Sequence, residues 1–133
     1  MNSIRAITTC SGLAAVAVAG IALAPSANAK GLEVRRSGDC SQTSTWQLKA
    51  KADNGRIETE FQVDSNVVGQ TWSVRLLDNG TKVAAGKPTT VAPSGSFTFR
   101  RIIANMPGSD TITAVATQAG TGEVCRARLV FPG

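Results

Sequence analysis

The sequence predicts an all-β fold, an antiparallel two-sheet sandwich of seven to nine strands tied by one disulfide. Three observations carry this expectation. After residue 30, apolar and polar residues alternate with period two, and no stretch keeps apolar residues at helical spacing for three turns. Gly, Asn, Asp and Pro punctuate that alternation about every ten residues. Two of the three cysteines, Cys40 and Cys125, lie within the alternating region.

The N-terminus reads as targeting rather than fold. Arg5 precedes an apolar stretch from Leu13 to Ala24, Pro25 ends it, and Ala27-Asn28-Ala29 offers the small-x-small pattern of a signal peptidase site. A membrane anchor is the competing reading, but twelve apolar residues are short against the ~20 that span a bilayer. Residues 1–29 are therefore expected to be a cleaved secretory signal, and residues 30–133 a single domain with no membrane span. Cys10 precedes the apolar stretch and leaves with the signal, so it is not a lipid-bearing cysteine. The remaining 104 residues carry thirteen Lys and Arg against nine Asp and Glu, a net charge of +4. In an oxidising compartment Cys40 and Cys125 are expected to pair. A redox pair is the alternative, and the Cys-x-x-Cys spacing it favours is absent. Closing 85 positions constrains the unfolded chain by roughly 4–5 kcal/mol on the chain-entropy account.

Three hairpins set the expected register. Asn54-Gly55 is a two-residue loop whose residues both favour φ > 0, so paired residue numbers sum to 109. Lys51 then meets Glu58 and Lys49 meets Glu60 on one face, while Leu48 meets Phe61 and Trp46 meets Val63 on the other. Asn79-Gly80 repeats the device, pairing Leu76 with Val83 and Val74 with Ala85, with Trp72 on the same face and Arg75 and Leu77 on the opposite one. A third hairpin over Gln118–Glu123 pairs Ile112 with Leu129, Ala114 with Ala127 and Ala116 with Cys125. Its outward face holds Thr113 with Arg128 and Val115 with Arg126. Between the hairpins, Leu32–Arg36 reads as an edge strand, and Thr89–Ala92 and Ser96–Ile103 as further strands around Pro93-Ser94-Gly95. Arg100-Arg101-Ile102-Ile103 interrupts the alternation and predicts a bulge or a strand end. Pro107-Gly108 marks the next turn.

From Leu32 to Phe131, and most clearly in Asp110-Thr-Ile-Thr-Ala-Val-Ala-Thr117, the pattern resembles the immunoglobulin-like and fibronectin type III-like sandwiches of secreted bacterial proteins. It departs from antibody-type domains. No Tyr is present for a tyrosine corner, and the Cys40–Cys125 spacing does not suit their inter-sheet bond. The chain is also similar to small secreted chromophore-carrier sandwiches, which usually hold two disulfides where this chain has material for one. The resemblance implies an immunoglobulin-like architecture and, by itself, no function.

The chain contains no His, which removes the commonest general base, the Ser-His and Cys-His pairings, and the usual zinc and copper ligand. A Ser-Lys dyad would need a sheltered lysine, whereas Lys49, Lys51 and Lys82 fall on solvent faces. Glu58 and Glu60 share a face, as paired acid and base carboxylates would, but cross-strand lysines explain them as a charge ladder. Asp53-Asn54-Gly55 and Asp78-Asn79-Gly80 lack the alternate acidic ligands of a calcium loop and read as turns. Asn79-Gly80-Thr81 also matches a glycosylation pattern, and is read as the hairpin turn. Trp46 and Trp72 would serve a sugar platform only if exposed. The registers place both on the apolar face with Leu48, Phe61, Val74 and Leu76, so both are expected in the core.

What remains is the basic surplus. Arg126 and Arg128 alternate on an outward face, and Arg100-Arg101 and Arg35-Arg36 add charge; a soluble, edge-protecting surface is the competing explanation. The candidate anion- or partner-binding residues are Arg126, Arg128, Arg100 and Arg101. Aromatic residues do not interleave with them, so nucleic acid is not an expected partner. The expectation is a secreted, non-enzymatic, extracellular or cell-envelope-associated binding module, without catalytic residues, cofactor or metal. Its partner would be an anionic envelope polymer or a secreted protein. An inhibitor of a secreted hydrolase, acting through Asn105–Ser109 or Pro93–Ser96, is the alternative. Such a loop needs bracing, and neither has a neighbouring cysteine. An unrecognised enzyme comes third.

Overall fold

The computed structural model describes residues 31–133, so the expected signal segment lies outside the described residues. Eight strands follow in order: β1 (Glu33–Asp39), β2 (Thr45–Asp53), β3 (Arg56–Asp64), β4 (Trp72–Asp78), β5 (Thr81–Gly86), β6 (Ser96–Ala104), β7 (Asp110–Gln118) and β8 (Val124–Phe131). They form two four-stranded antiparallel sheets, β1-β2-β3-β6 and β5-β4-β7-β8, which pack face to face around one core. No helix among the described residues is long and apolar enough to cross a membrane.

The first and third hairpins pair as their turns dictate. Asn54 and Gly55 adopt φ of 49° and 80°, and β2 meets β3 through Leu48–Phe61, Lys49–Glu60, Lys51–Glu58 and Trp46–Val63. β7 meets β8 through Ile112–Leu129, Ala114–Ala127 and Ala116–Cys125. The second hairpin departs from expectation beyond its first two pairs. Asp78 meets Thr81 and Leu77 meets Lys82, but the register then shifts, so that Leu76 meets Ala84 and Val74 meets Gly86. The extra residue is Val83, left 43% exposed on an edge strand where a bulge is tolerated.

Two further expectations are corrected. Thr89–Ala92 is not a strand; that segment makes only isolated bridges, Thr71 to Thr89 and Val91 to Ser96. Conversely, β6 runs through Arg100–Ile103 without bulge or break, in continuous register with β3 from Asp64–Ser96 to Arg56–Ala104. The alternation looks broken because β6 is an edge strand. Arg101 stands on the inward side with Phe97, Phe99 and Ile103, yet it reaches water around the edge, its guanidinium 4.0 Å from the centroid of the Phe99 ring. Ile102 faces out beside it.

Trp72 is fully buried and meets Phe97 at 6.1 Å between ring centroids, and Phe97 meets Phe61 edge-on at 6.3 Å. The indole N–H of Trp72 is buried and has no hydrogen-bond partner among the described residues. Trp46 is only partly buried at the margin of the core. It lies across Gly38, its partner on β1, where an added Cβ would sit 2.8 Å from the ring. Glycine there leaves the space the indole occupies, and a larger residue would have to shift the ring.

The two open sides of the sandwich are closed differently. On one, Cys40 and Cys125 form the single disulfide, joining the end of β1 to the start of β8 with Cα atoms 4.3 Å apart. On the other, Gly86 of β5 lets Phe99 of β6 approach, since an added Cβ would stand 2.6 Å from that ring.

Replacing both cysteines by serine is expected to lower unfolding free energy by about 2–5 kcal/mol, read from urea denaturation of the oxidised wild type and the variant. Trp72→Ala is expected to cost about 3–5 kcal/mol in the same measurement; unchanged stability would remove Trp72 from the centre of the core.

Candidate functional site

The outer face of the β5-β4-β7-β8 sheet is basic. Cross-strand register sets Arg75, Val115 and Arg126 in one row, and Lys82, Leu77, Thr113 and Arg128 in the next. Strand spacing and rise place the Cα atoms of Arg75 and Arg126 about 10 Å apart, and those of Arg126 and Arg128 about 7 Å apart. All four cations are exposed. No Asp or Glu stands on this face, because the only acidic residues of its strands, Asp78 and Asp110, turn into the interior. Among the described residues none of the four cations takes part in an ion pair. Val115 points outward yet is 3% exposed, because its row neighbours Arg75 and Arg126 flank it and can lay their alkyl stems over it.

The other outer face is neutralised from within. Lys49 meets Glu60 at 3.4 Å, Arg35 pairs with Glu33, and Arg100 pairs with Glu58 and lies 3.7 Å from Glu60. Lys51 stands opposite Glu58 as expected, but Arg100 from the neighbouring strand takes that carboxylate. The four candidate arginines therefore do not form one cluster. Arg126 and Arg128 share a face with Arg75 and Lys82, whereas Arg100 belongs to the ladder on the opposite sheet and Arg101 covers the β6 edge. Arg75 and Lys82 were legible as outward residues. Only the β4–β7 pairing, which no hairpin signals, joins them to Arg126.

One end of the sandwich is a braced cluster of loops. The Glu123 carboxylate accepts hydrogen bonds from the backbone N–H groups of Gln42 (3.0 Å) and Ser44 (2.8 Å) and from the Ser44 hydroxyl (2.7 Å). Burial works to raise the Glu123 pKa, but the hydrogen bonds from Ser44, Gln42 and Thr43 outweigh it and hold the group below its ordinary value. The buried Thr90 hydroxyl donates to the Val67 carbonyl (2.6 Å) and accepts from Gln70 N–H (2.9 Å). Ser65 N–H donates to the Gly95 carbonyl and Gly95 N–H to the Val91 carbonyl, which braces Pro93–Ser96 without any cysteine. Val67, Val68 and Val91 are left at least half exposed on these loops. At the other end, Met106 N–H donates to Asp110 Oδ2 (3.1 Å) and the Asn79 amide to the Ser109 carbonyl (3.3 Å), tying down Asn105–Ser109.

Among the described residues no group of three or more His, Cys, Asp or Glu is placed to hold a metal ion. Glu58 and Glu60 are engaged by Arg100 and Lys49. Comparison with protein-family models, curated proteins and solved structures finds no match to this chain.

Glu123 is ionised in the fold at a lower pH than in the unfolded chain, so its contribution is present above the unfolded pKa of about 4.5 and is lost as pH falls through the lowered folded value. Glu123→Gln is expected to cost about 1–3 kcal/mol at neutral pH and to show a smaller acid-induced loss than the wild type, measured by urea unfolding across acid pH.

Proposed function

We propose that this chain is a secreted, non-enzymatic β-sandwich of immunoglobulin-like type that works as an extracellular or envelope-associated binding module, meeting an anionic polymer with the outer face of its β5-β4-β7-β8 sheet. The observation that carries the reading is the grouping of Arg75, Lys82, Arg126 and Arg128 on a face without a single carboxylate. A rigid sheet presents those charges at fixed spacing, so little ordering is needed on binding. Charge repeated without a counter-charge attracts a polyanion, and the contrast with the opposite face, where acids and bases pair, supports the reading. The order of sheets along the chain supports the immunoglobulin-like reading: three strands in one sheet, two in the other, one back, and two to finish.

The inhibitor reading gains one observation, the hydrogen-bonded bracing of Pro93–Ser96 beside the exposed Val67, Val68 and Val91. A braced loop loses little entropy when gripped. Recovery of a hydrolase, with inhibition abolished by Val67→Asp or Val91→Asp and not by arginine changes, would favour it.

The test of the anion-binding reading is retention on a soluble polyanion such as heparin, and on purified envelope polymer, across a salt series. Replacing Arg126 and Arg128 with alanine is expected to leave the fold intact and to reduce the slope of log affinity against log salt by about 1.4–1.8, the contribution of two cations. Salt-independent retention, or an unchanged slope in the variant, would overturn it.

A further inference from the structure

Two carboxyls sit side by side inside the fold. Asp78 ends β4 and Asp110 begins β7, with exposures of 5% and 0%. Asp78 stands opposite Ile112, so Asp110, two residues earlier on the neighbouring strand, shares its inward face, and each carboxyl keeps one buried oxygen, Oδ1, with no partner among the described residues. Two adjacent buried negative charges are unfavourable, and a single proton held between them removes the repulsion. Among the described residues no cation pairs with either. Arg75, Lys82, Arg126 and Arg128 of the surrounding strands point outward, Arg56 of β3 donates to the Ile102 carbonyl, and Glu58 and Glu60 face the opposite solvent side with Arg100. Arg101 lies over Phe99, Asp53 accepts from Asn54, and the Asn105–Ser109 segment and the Asn79-Gly80 turn are uncharged.

The pair also holds a loop. Asp110 Oδ2 accepts the Met106 N–H (3.1 Å). The residues next to the pair knit the same region: Asn79 N–H donates to the Thr111 carbonyl (2.9 Å), and Thr111 N–H donates to Asn79 Oδ1 (2.8 Å). We propose that Asp78 and Asp110 form a proton-operated latch, in which one shared proton pins the Asn105–Ser109 loop and its loss in alkaline surroundings lets the loop go. The chemistry is a simple proton transfer to water, leaving two carboxylates in contact. Repulsion between them is relieved when one reaches water; Asp110 directly follows the exposed residues 104–109, and the opening inferred on that side parts its Oδ2 from the Met106 N–H.

Burial, then the hydrogen bond to Asp110 and the charge of Asp110, push the Asp78 pKa up from 3.8 to about 7. With the folded value above the unfolded one, the stabilisation is complete below pH 3.8 and is lost as pH rises through about 7. Between pH 6 and pH 8 the opening equilibrium of the loop should therefore rise about tenfold, since one pH unit is tenfold in protonation. Hydrogen exchange of the Met106 amide, corrected for its intrinsic pH dependence, reads this directly. Wild type is expected to lose protection about tenfold across that interval. Asp78→Asn, which keeps a neutral donor beside Asp110, is expected to hold its protection level. A wild type whose protection does not change, or a variant that loses it equally, would overturn the latch. Carboxyl NMR titration of the unmodified protein gives the second reading should the variant not fold. Asp78 must titrate near neutrality, and an ordinary carboxylate midpoint of about 4 for Asp78 would overturn the proposal. Recovery of Met106 protection at pH 8 on adding calcium would also overturn it, by assigning the pair to a cation instead of a proton.

Discussion

Strand register is the constraint on which everything else in this domain rests. Side chains of a strand alternate between faces, so a slip of one residue would exchange interior for surface along a whole strand. Asn54-Gly55 and Asn79-Gly80 anchor two of the pairings by turn geometry. The alternation then does three things at once. It sends Leu48, Phe61, Trp72, Ile112 and Leu129 into the core, Lys49, Glu58, Glu60 and Arg100 to one outer face, and Arg75, Arg126 and Arg128 to the other.

The two outer faces use the same residue types to opposite effect. Across β2, β3 and β6, acids and bases stand in adjacent strands and answer one another. Across β4, β7 and β8, the acids turn inside, where Asp78 and Asp110 stand buried on adjacent strands at the sheet end, and the bases remain alone outside. The separation of charge between interior and surface within one sheet thus ties the basic face to the buried carboxyl pair. Both follow from which parity the acidic residues occupy.

Local pairing was legible in the sequence, and long-range pairing was not. The β2–β3 and β7–β8 registers follow from turn length and cross-strand chemistry, residue by residue. The β3–β6 and β4–β7 pairings join strands far apart in the chain, and no turn announces them. For that reason Arg100 looked free when Glu58 already held it, and Arg75 was not associated with Arg126. Edge strands misled in a second way. Val83 bulges and Arg101 occupies an inward position because an edge leaves one side open to water, so a strict alternation test fails where the fold is still regular. The disulfide was legible because only two cysteines lie beyond the expected signal. The Asp78–Asp110 pair was not, since Asp78 reads as a turn residue until β7 is placed beside it.

The position of Cys40–Cys125 has a mechanical meaning. β1 and β8 run from the disulfide toward the same end of the sandwich, where Glu33 and Phe131 lie. A pull applied at those two residues peels the two edge strands away and then reaches the sulfur bridge. The load passes across that bond, and the 84 residues from Ser41 to Val124 carry none of it. While the bridge is intact, the extensible part of the domain is confined to two short ends, and the basic sheet's inner strands β4 and β7 keep their shape under tension.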